Sequence, residues 1–441
     1  MKITSQASFS GSLKHVIFLG AGASASSGYP VGQQLRLRIA SKEHFRKQVD
    51  QELPLLNEVN PLAYNAHAKC LGRFDEFEKS VELFRHGGFA SVDEFSKLAS
   101  QVYKDHLQNM KKLMRIALSL HNPENKFHES DYYSFIQRLF LNKQLNELNP
   151  NITVITFNYD CYLDFLLLEA YNCRHKILGV PTPMDDIFNF KLTSGFFDPN
   201  ASLDLSSQSK GFNYFKLHGS IAYGNDPHFG HSPSFRLDNA KRIEYLGESS
   251  LQSENPPVVF PWELFDKGDF VSEEAFRPFN EAQDDITREK ARRLFQQLKS
   301  IWENAREAVL GADKISFIGL SMHEYLETGF KFLFDSFGKS TDPKIRAWVA
   351  NGAIDESKPK EVQVVVANIE NEHFKNVRNR LHPASPCGKV AELLTKVAPN
   401  LKYVRSLCED DGMFSGSPDD VYEPDITPRY SFKDFIQHEM E

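Results

Sequence analysis

A short apolar run that breaks at once into small residues constrains this chain more than any other feature. Val16 to Leu19 is followed by Gly20-Ala21-Gly22-Ala23-Ser24 and then Ser26-Ser27-Gly28-Tyr29-Pro30. The run predicts a buried strand, with an amphipathic helix starting from about Gln33. Glycines at such a junction let the backbone turn tightly and let a phosphate approach without meeting a Cβ. N–H groups at the start of the next helix, helped by the helix dipole, then face the anion. The spacing departs from the usual dinucleotide fingerprint, because a Ser-rich stretch ending at Gly28 replaces the third glycine. The same junction also serves as a plain tight turn.

The pattern of a buried strand closed by polar residues recurs along the chain. Ile152 to Phe157 ends at Asn158-Tyr159-Asp160, and Phe212 to Leu217 ends at His218-Gly219-Ser220. Lys314 to Gly319 runs into Leu320-Ser321, and Val362 to Asn368 is a further strand. Helical periodicity fills 33–145, with Val92, Phe95 and Leu98 on one stripe and apolar residues three and four apart from Met110 to Leu120. A second stripe carries Ile286, Leu294, Phe295, Leu298, Ile301, Trp302, Ala305 and Val309, and Gly311 marks its stop. Buried strands alternating with helices predict an α/β fold: a Rossmann-like parallel sheet covered by helices on both faces, with a large helical insertion. The expected division is 1–32 for the first strand and glycine motif, and 33–145 for the helical insertion. The rest of the same domain is 146–385, with loop insertions near 175–211 and 222–285. A C-terminal helix (Val390 to Val397) and an acidic tail occupy 386–441.

Composition narrows the function classes. Lys and Arg total 51 against 59 Asp and Glu, a net charge of −8. That balance argues against direct nucleic-acid binding, which rests on neutralising phosphates. No apolar stretch approaches the length that spans a bilayer, and the N-terminus lacks a signal-peptide pattern, so a cytoplasmic protein without membrane contact is expected. The five cysteines (Cys70, Cys161, Cys173, Cys387, Cys408) are far apart with no Cys-x-x-Cys pair, which predicts reduced thiols and no zinc module. His228 and His231 with Asp226 lack a third spaced ligand, so no metal is expected.

In a parallel sheet, ligands bind beyond the carboxyl ends of the strands. The candidate site residues are therefore those at strand ends. Their order is Gly20-Ala21-Gly22-Ala23-Ser24 with Ser27-Gly28-Tyr29-Pro30, Thr156-Phe157-Asn158-Tyr159-Asp160, Lys216-Leu217-His218-Gly219-Ser220, Ile318-Gly319-Leu320-Ser321, and Val366-Ala367-Asn368. In these motifs, over about 13–380, the chain resembles a sirtuin-type (SIR2-like) NAD-binding domain. It departs from the protein-deacylating members, which usually follow the glycine motif with Pro-Asp-Phe-Arg; here Pro30 precedes Val31-Gly32-Gln33. It also lacks their four-cysteine module. The version present is similar to the bacterial SIR2-like branch used as NAD-degrading effectors in antiphage defence.

The resemblance implies an NAD⁺ hydrolase that releases nicotinamide and ADP-ribose, with NAD as substrate and no metal. The N–H groups of Ala21 to Ser24 would hold the pyrophosphate, with the Ser24 hydroxyl as a further donor. Asn158 would orient ribose hydroxyls and the attacking water, and His218 would act as general base near neutral pH. Gly20, Tyr29, Gly319 and Ser321 belong to the expected cofactor-binding set, with Asn368 at the adenine ribose. Asp160 either binds the nicotinamide amide or caps the helix that begins at Cys161. A homo-oligomer is expected, and family analogy suggests a partner such as a DNA-translocating ATPase. NAD-dependent protein deacylation, and a non-enzymatic NAD or ADP-ribose sensor, are the two alternatives.

Overall fold

The computed structural model describes residues 14–27, 29–30, 35–36, 39–40, 74–87, 89, 91–102, 104–119, 131–140, 148–160, 162–163, 213–219, 258–266, 269–280, 282, 284–312, 314–320, 324–334, 363–367 and 403–406. The first strand, β1 (His15–Leu19), is buried at every position. It is followed by β2 (Ile152–Thr156) and β3 (Asn213–Lys216), and a short antiparallel hairpin contains β4 (Phe265–Asp266) and β5 (Asp269–Phe270). Then come β6 (Lys314–Ile318), β7 (Gln363–Ala367) and β8 (Tyr403–Ser406). Six of these form one sheet in the order β3-β2-β1-β6-β7-β8, every pairing parallel. A central parallel strand has neighbours on both edges and layers on both faces, which is why β1 reads as an unbroken apolar run.

Side chains alternate across a strand with period two, and here the alternation divides two cores. Ile17, Leu19, Val154 and Ile318 join one core. Its other wall comes from α1 (Phe74–His86), α2 (Val92–Val102), α3 (Lys104–Ser119) and α4 (Asp131–Arg138). Phe18, Ile155, Phe215 and Phe317 join the other core. The short helices α5 (Pro261–Leu264) and α6 (Arg277–Asn280) precede the long α7 (Asp285–Leu310), and α8 (Glu324–Phe334) follows β6. Phe295, Leu298, Trp302 and Val309 of α7 and Phe330 and Phe334 of α8 pack on that second face. The chain is therefore a mixed α/β fold built on a parallel sheet.

Strand expectations hold to within a residue or two at each end for β1, β2, β3, β6 and β7. Helix α7 starts at an Asp284 N-cap, whose side chain accepts from Thr287 N, and ends at Gly311 as its composition predicts. Ile286 departs from the expected stripe: it sits in the first turn of α7 and is 72 % exposed. Strand β8 lies within 386–441, where periodicity predicts a helix and a tail. Within the expected loop region 222–285, residues 258–280 form α5, the β4–β5 hairpin and α6. The glycine motif itself opens a 3₁₀ helix over Ala21–Ser27, ahead of the helix expected from Gln33. Among the described residues, no helix is long and apolar enough to cross a membrane.

Candidate functional site at the strand ends

Parallel pairing in register brings the carboxyl ends of four strands level. Leu19 is opposite Thr156 on one side and Ile318 on the other, and Thr156 is opposite Lys216. The residues that follow each strand therefore meet at one edge. This gathers Gly20 to Ser24, Asn158, Asp160, His218 and Gly319, and the hydrogen bonds tie several of them directly.

Thr156 Oγ1 donates to the Leu19 carbonyl at 3.1 Å and accepts from Asn158 N at 3.0 Å, which turns the chain out of β2. The Asn158 side-chain amide then reaches the glycine turn. Its Nδ2 donates to the Gly20 carbonyl at 3.0 Å and to Ser24 Oγ at 3.2 Å. Ser24 Oγ in turn donates to Asp160 Oδ2 at 3.2 Å and lies 3.4 Å from the Tyr132 hydroxyl. Asp160 Oδ1 accepts from Tyr162 N at 3.0 Å, the geometry of a helix cap. Lys216 Nζ donates to the Asp160 carbonyl oxygen at 2.6 Å. The bond to Tyr162 N is the one expected of a cap, and the same carboxylate anchors Ser24.

The glycines of the motif serve a close approach of two backbones. A Cβ on Gly20 would come within 2.5 Å of the Gly319 carbonyl oxygen, and one on Gly22 within 2.7 Å of Gly319 Cα. Gly319 has φ +61 and a Cβ there would meet Ala23 N at 2.1 Å. These glycines let the backbones leaving β1 and β6 lie against each other. The Gly22 N–H donates to the Gly319 carbonyl at 2.8 Å, and the Ala23 N–H to the Gly20 carbonyl at 3.0 Å. Two of the four expected pyrophosphate donors are thus committed within the protein, as is the Ser24 hydroxyl. Tyr29, expected to touch cofactor, is 2 % exposed and packs its ring 5.2 Å from that of Tyr162. Ser321 and Asn368 lie outside the described residues, as do Asp226, His228 and His231.

His218 follows β3 through Leu217, and Gly219 with φ 73 completes the turn. The Trp302 indole N–H holds the Leu217 carbonyl at 3.0 Å, and the His218 carbonyl accepts from Val259 N at 3.0 Å. The imidazole is 2 % exposed. It lies edge-on to Phe157 at 5.3 Å, stacks on Tyr159 at 5.4 Å and is 6.3 Å from Trp302. Neither ring nitrogen has a hydrogen-bond partner among the described residues. Burial pushes its pKa down to about 3; the nearby Phe157 carbonyl offsets only part of this, without reaching hydrogen-bond geometry. The ring is neutral at pH 7, and as a resting base it is weaker than the near-neutral one expected.

Tyr159, Tyr132, Lys216 and Trp302 were not among the expected site residues. Tyr159 and Lys216 lie inside the motifs, but neither residue type alone signals a role. Tyr132 and Trp302 come from helices read only for their apolar stripes. Among the described residues no group of three or more His, Cys, Asp or Glu side chains is placed to hold a metal. No protein-family model matches the chain, and no curated protein matches it.

Proposed function

We propose that the chain binds NAD⁺ across the carboxyl ends of β1, β2, β3 and β6 and hydrolyses the bond between nicotinamide and ribose. The observation that carries this reading is His218: a buried imidazole whose two nitrogens have no hydrogen-bond partner among the described residues, set against the rings of Phe157 and Tyr159, the chain neighbours of Asn158. Leaving buried polar atoms unpaired costs roughly 1–3 kcal/mol each, a cost that a ligand hydroxyl at the ring would offset. The strand order β3-β2-β1-β6-β7-β8 supports the same reading, since dinucleotide-binding sheets of the Rossmann kind share such an order and hold their ligand at the strand ends. On this reading α1 to α4 belong to a helical insertion over 33–145.

In the reaction, the C1′–N bond breaks and its electron pair leaves with neutral nicotinamide. A water oxygen bonds to C1′, and its proton passes to His218 and then to solvent. Asn158 Oδ1 accepts no hydrogen bond from the described residues, so it is available to orient a ribose hydroxyl or the attacking water. The depressed basicity of His218 supports low resting activity, raised when the dinucleotide supplies a hydroxyl to the ring. An NAD-depleting effector of antiphage defence, cytoplasmic and switched by self-assembly or by a partner such as a DNA-translocating ATPase, is the biological setting this chemistry fits. That setting rests on the sequence resemblance.

The test is to incubate the full chain with NAD⁺ and separate the products. Nicotinamide and ADP-ribose should appear together, and His218→Ala should slow their release roughly 10²–10⁴-fold. Full turnover in His218→Ala would overturn its role. One observation favours a second reading: a ring with a pKa near 3 is a poor base, which suits an NAD or ADP-ribose sensor. Binding of NAD⁺ without any loss of it would select that reading.

A further inference from the structure

Among the described residues the His218 ring has no hydrogen bond to orient it, and the contacts that surround it are rings. Phe157 and Trp302 are apolar contacts on the sheet and on α7. Tyr159 is different, because its hydroxyl donates to Asp93 Oδ1 at 3.0 Å. Asp93 sits in the first turn of α2, where Glu94 N donates to Ser91 Oγ at 3.1 Å. Tyr159 therefore has its ring on the imidazole and its hydroxyl on the helical layer.

A second contact of Tyr159 is tied to the same layer. Its ring lies edge-on to Phe260 at 5.9 Å. Phe260 N donates to Glu263 Oε2 at 2.8 Å, and Glu263 is ion-paired with Lys111 of α3, both side chains buried. Lys111 Nζ also lies 5.5 Å from the Phe260 ring centroid. The segment held in this way is the one that pairs with the turn around His218, through Val259 N to the His218 carbonyl and a bridge between Gly219 and Val258.

We propose that Tyr159, tethered by Asp93, is the positioning residue for His218, so that helices α2 and α3 set the angle of the imidazole. In many sites a carboxylate fixes a catalytic imidazole by bonding its second nitrogen directly. Here the carboxylate acts one residue removed, through a stacked phenol. Burial and the neighbouring Asp93 carboxylate both hold the Tyr159 hydroxyl well above its ordinary pKa of 10.0, so it stays a proton donor across the working range. The consequence is a route by which anything that shifts the helical layer misaligns the site. The catalytic part of this inference rests on the NAD-hydrolase reading above; the positional part does not.

The test uses the full chain with ¹³C-labelled histidine rings, the His218 signal being assigned by its loss in His218→Gln. Tyr159→Phe keeps the ring and removes the tether. It should move or broaden the His218 signal in the absence of any nucleotide. Asp93→Leu should do the same, and Asp93→Asn, which keeps an acceptor, should restore the wild-type signal. Turnover of NAD⁺ should fall about 10-fold in kcat in Tyr159→Phe with KM little changed, since small misplacements of reacting groups cost up to about 10²-fold. A His218 signal unchanged in both Tyr159→Phe and Asp93→Leu would overturn the proposal, whatever the wild-type chain does to NAD⁺. A signal that responds as described, in a wild-type chain that neither binds nor consumes NAD⁺, would keep the positional link and overturn the hydrolase reading instead.

Discussion

The side-chain amide of Asn158 donates a 3.0 Å hydrogen bond to the backbone carbonyl of Gly20, 138 residues earlier in the chain. With its second donor on Ser24 Oγ, this amide fastens the end of β2 to the glycine turn. Both bonds are buried, so they exclude a group that cannot donate. Asn158→Ala is expected to lower stability by about 1–3 kcal/mol by chemical denaturation, the cost of leaving buried partners unpaired. Asn158→Asp should be worse at pH 7, because the introduced carboxylate faces the Gly20 carbonyl and lies near Asp160. Equal stability of Asn158→Asp and wild type would contradict this role.

The contact between the two backbones at Gly22 and Gly319 leaves no room for a side chain. Gly319→Ala combines a left-handed φ with a Cβ forced against Ala23 N, and should cost about 2–4 kcal/mol. Thermal melts of Gly319→Ala and of Gly311→Ala form the comparison. At Gly311, φ is −84 and the nearest heavy atom to an added Cβ is 3.3 Å away, so that change should be far milder. Comparable losses at the two sites would contradict the close-approach explanation.

The strand ends were legible in the sequence because a parallel strand buried on both faces reads as a mostly apolar, β-branched and aromatic run that gives way to turn-forming residues. Asn158, His218 and Gly319 stand where three of those runs end, beyond the polar Thr156, Lys216 and Ser316 that lie inside them. The partner of each was not legible. Ser24 as the junction of Asn158 and Asp160, and Asp93 as the tether of Tyr159, depend on register and helix placement, which no local spacing encodes. Strand β8 was missed for a related reason: Tyr403-Val404-Arg405-Ser406 is short and mixed in polarity, as suits an edge, so periodicity has little to count. The glycines were legible but their contact with Gly319 was not, since a tight turn and a close backbone approach require the same residue.

The neutral burial of His218 makes stability depend on acid. Its folded pKa is about 3 against an ordinary 6.5. Between those values the unfolded chain binds the proton and the folded chain does not, so stability falls as pH drops. This group's contribution is full above pH 6.5, declines by about 1.4 kcal/mol per unit below it, and levels off beneath pH 3. Replacing the ring, in His218→Phe, should flatten the pH dependence of the denaturation midpoint between pH 7 and 4.5. In active wild type, kcat/KM should show no acidic break near 6.5 from this residue, because that profile reports the free enzyme. Identical acid sensitivity in both proteins would show that the ring is not buried neutral.

The Lys111–Glu263 pair is enclosed, with side-chain exposures of 3 % and 0 %. Removing one partner leaves an uncompensated buried charge. Lys111→Met is expected to cost about 3–5 kcal/mol, and the double change with Glu263→Gln to recover most of it, since the glutamine still accepts from Phe260 N. A double-mutant cycle on unfolding free energies measures this. Additive losses would contradict a direct buried pair.

On the proposed reading a dinucleotide at the strand ends touches His218, so the most direct measurement is the His218 ring signal of the full chain during a titration with NAD⁺. The expected result is a saturable shift of that signal that is weakened or lost in Asn158→Ala, together with a rise in thermal stability worth about 2.7 kcal/mol at a hundredfold excess over Kd. An unchanged His218 signal and an unchanged melting temperature at millimolar NAD⁺ would contradict dinucleotide binding at this site.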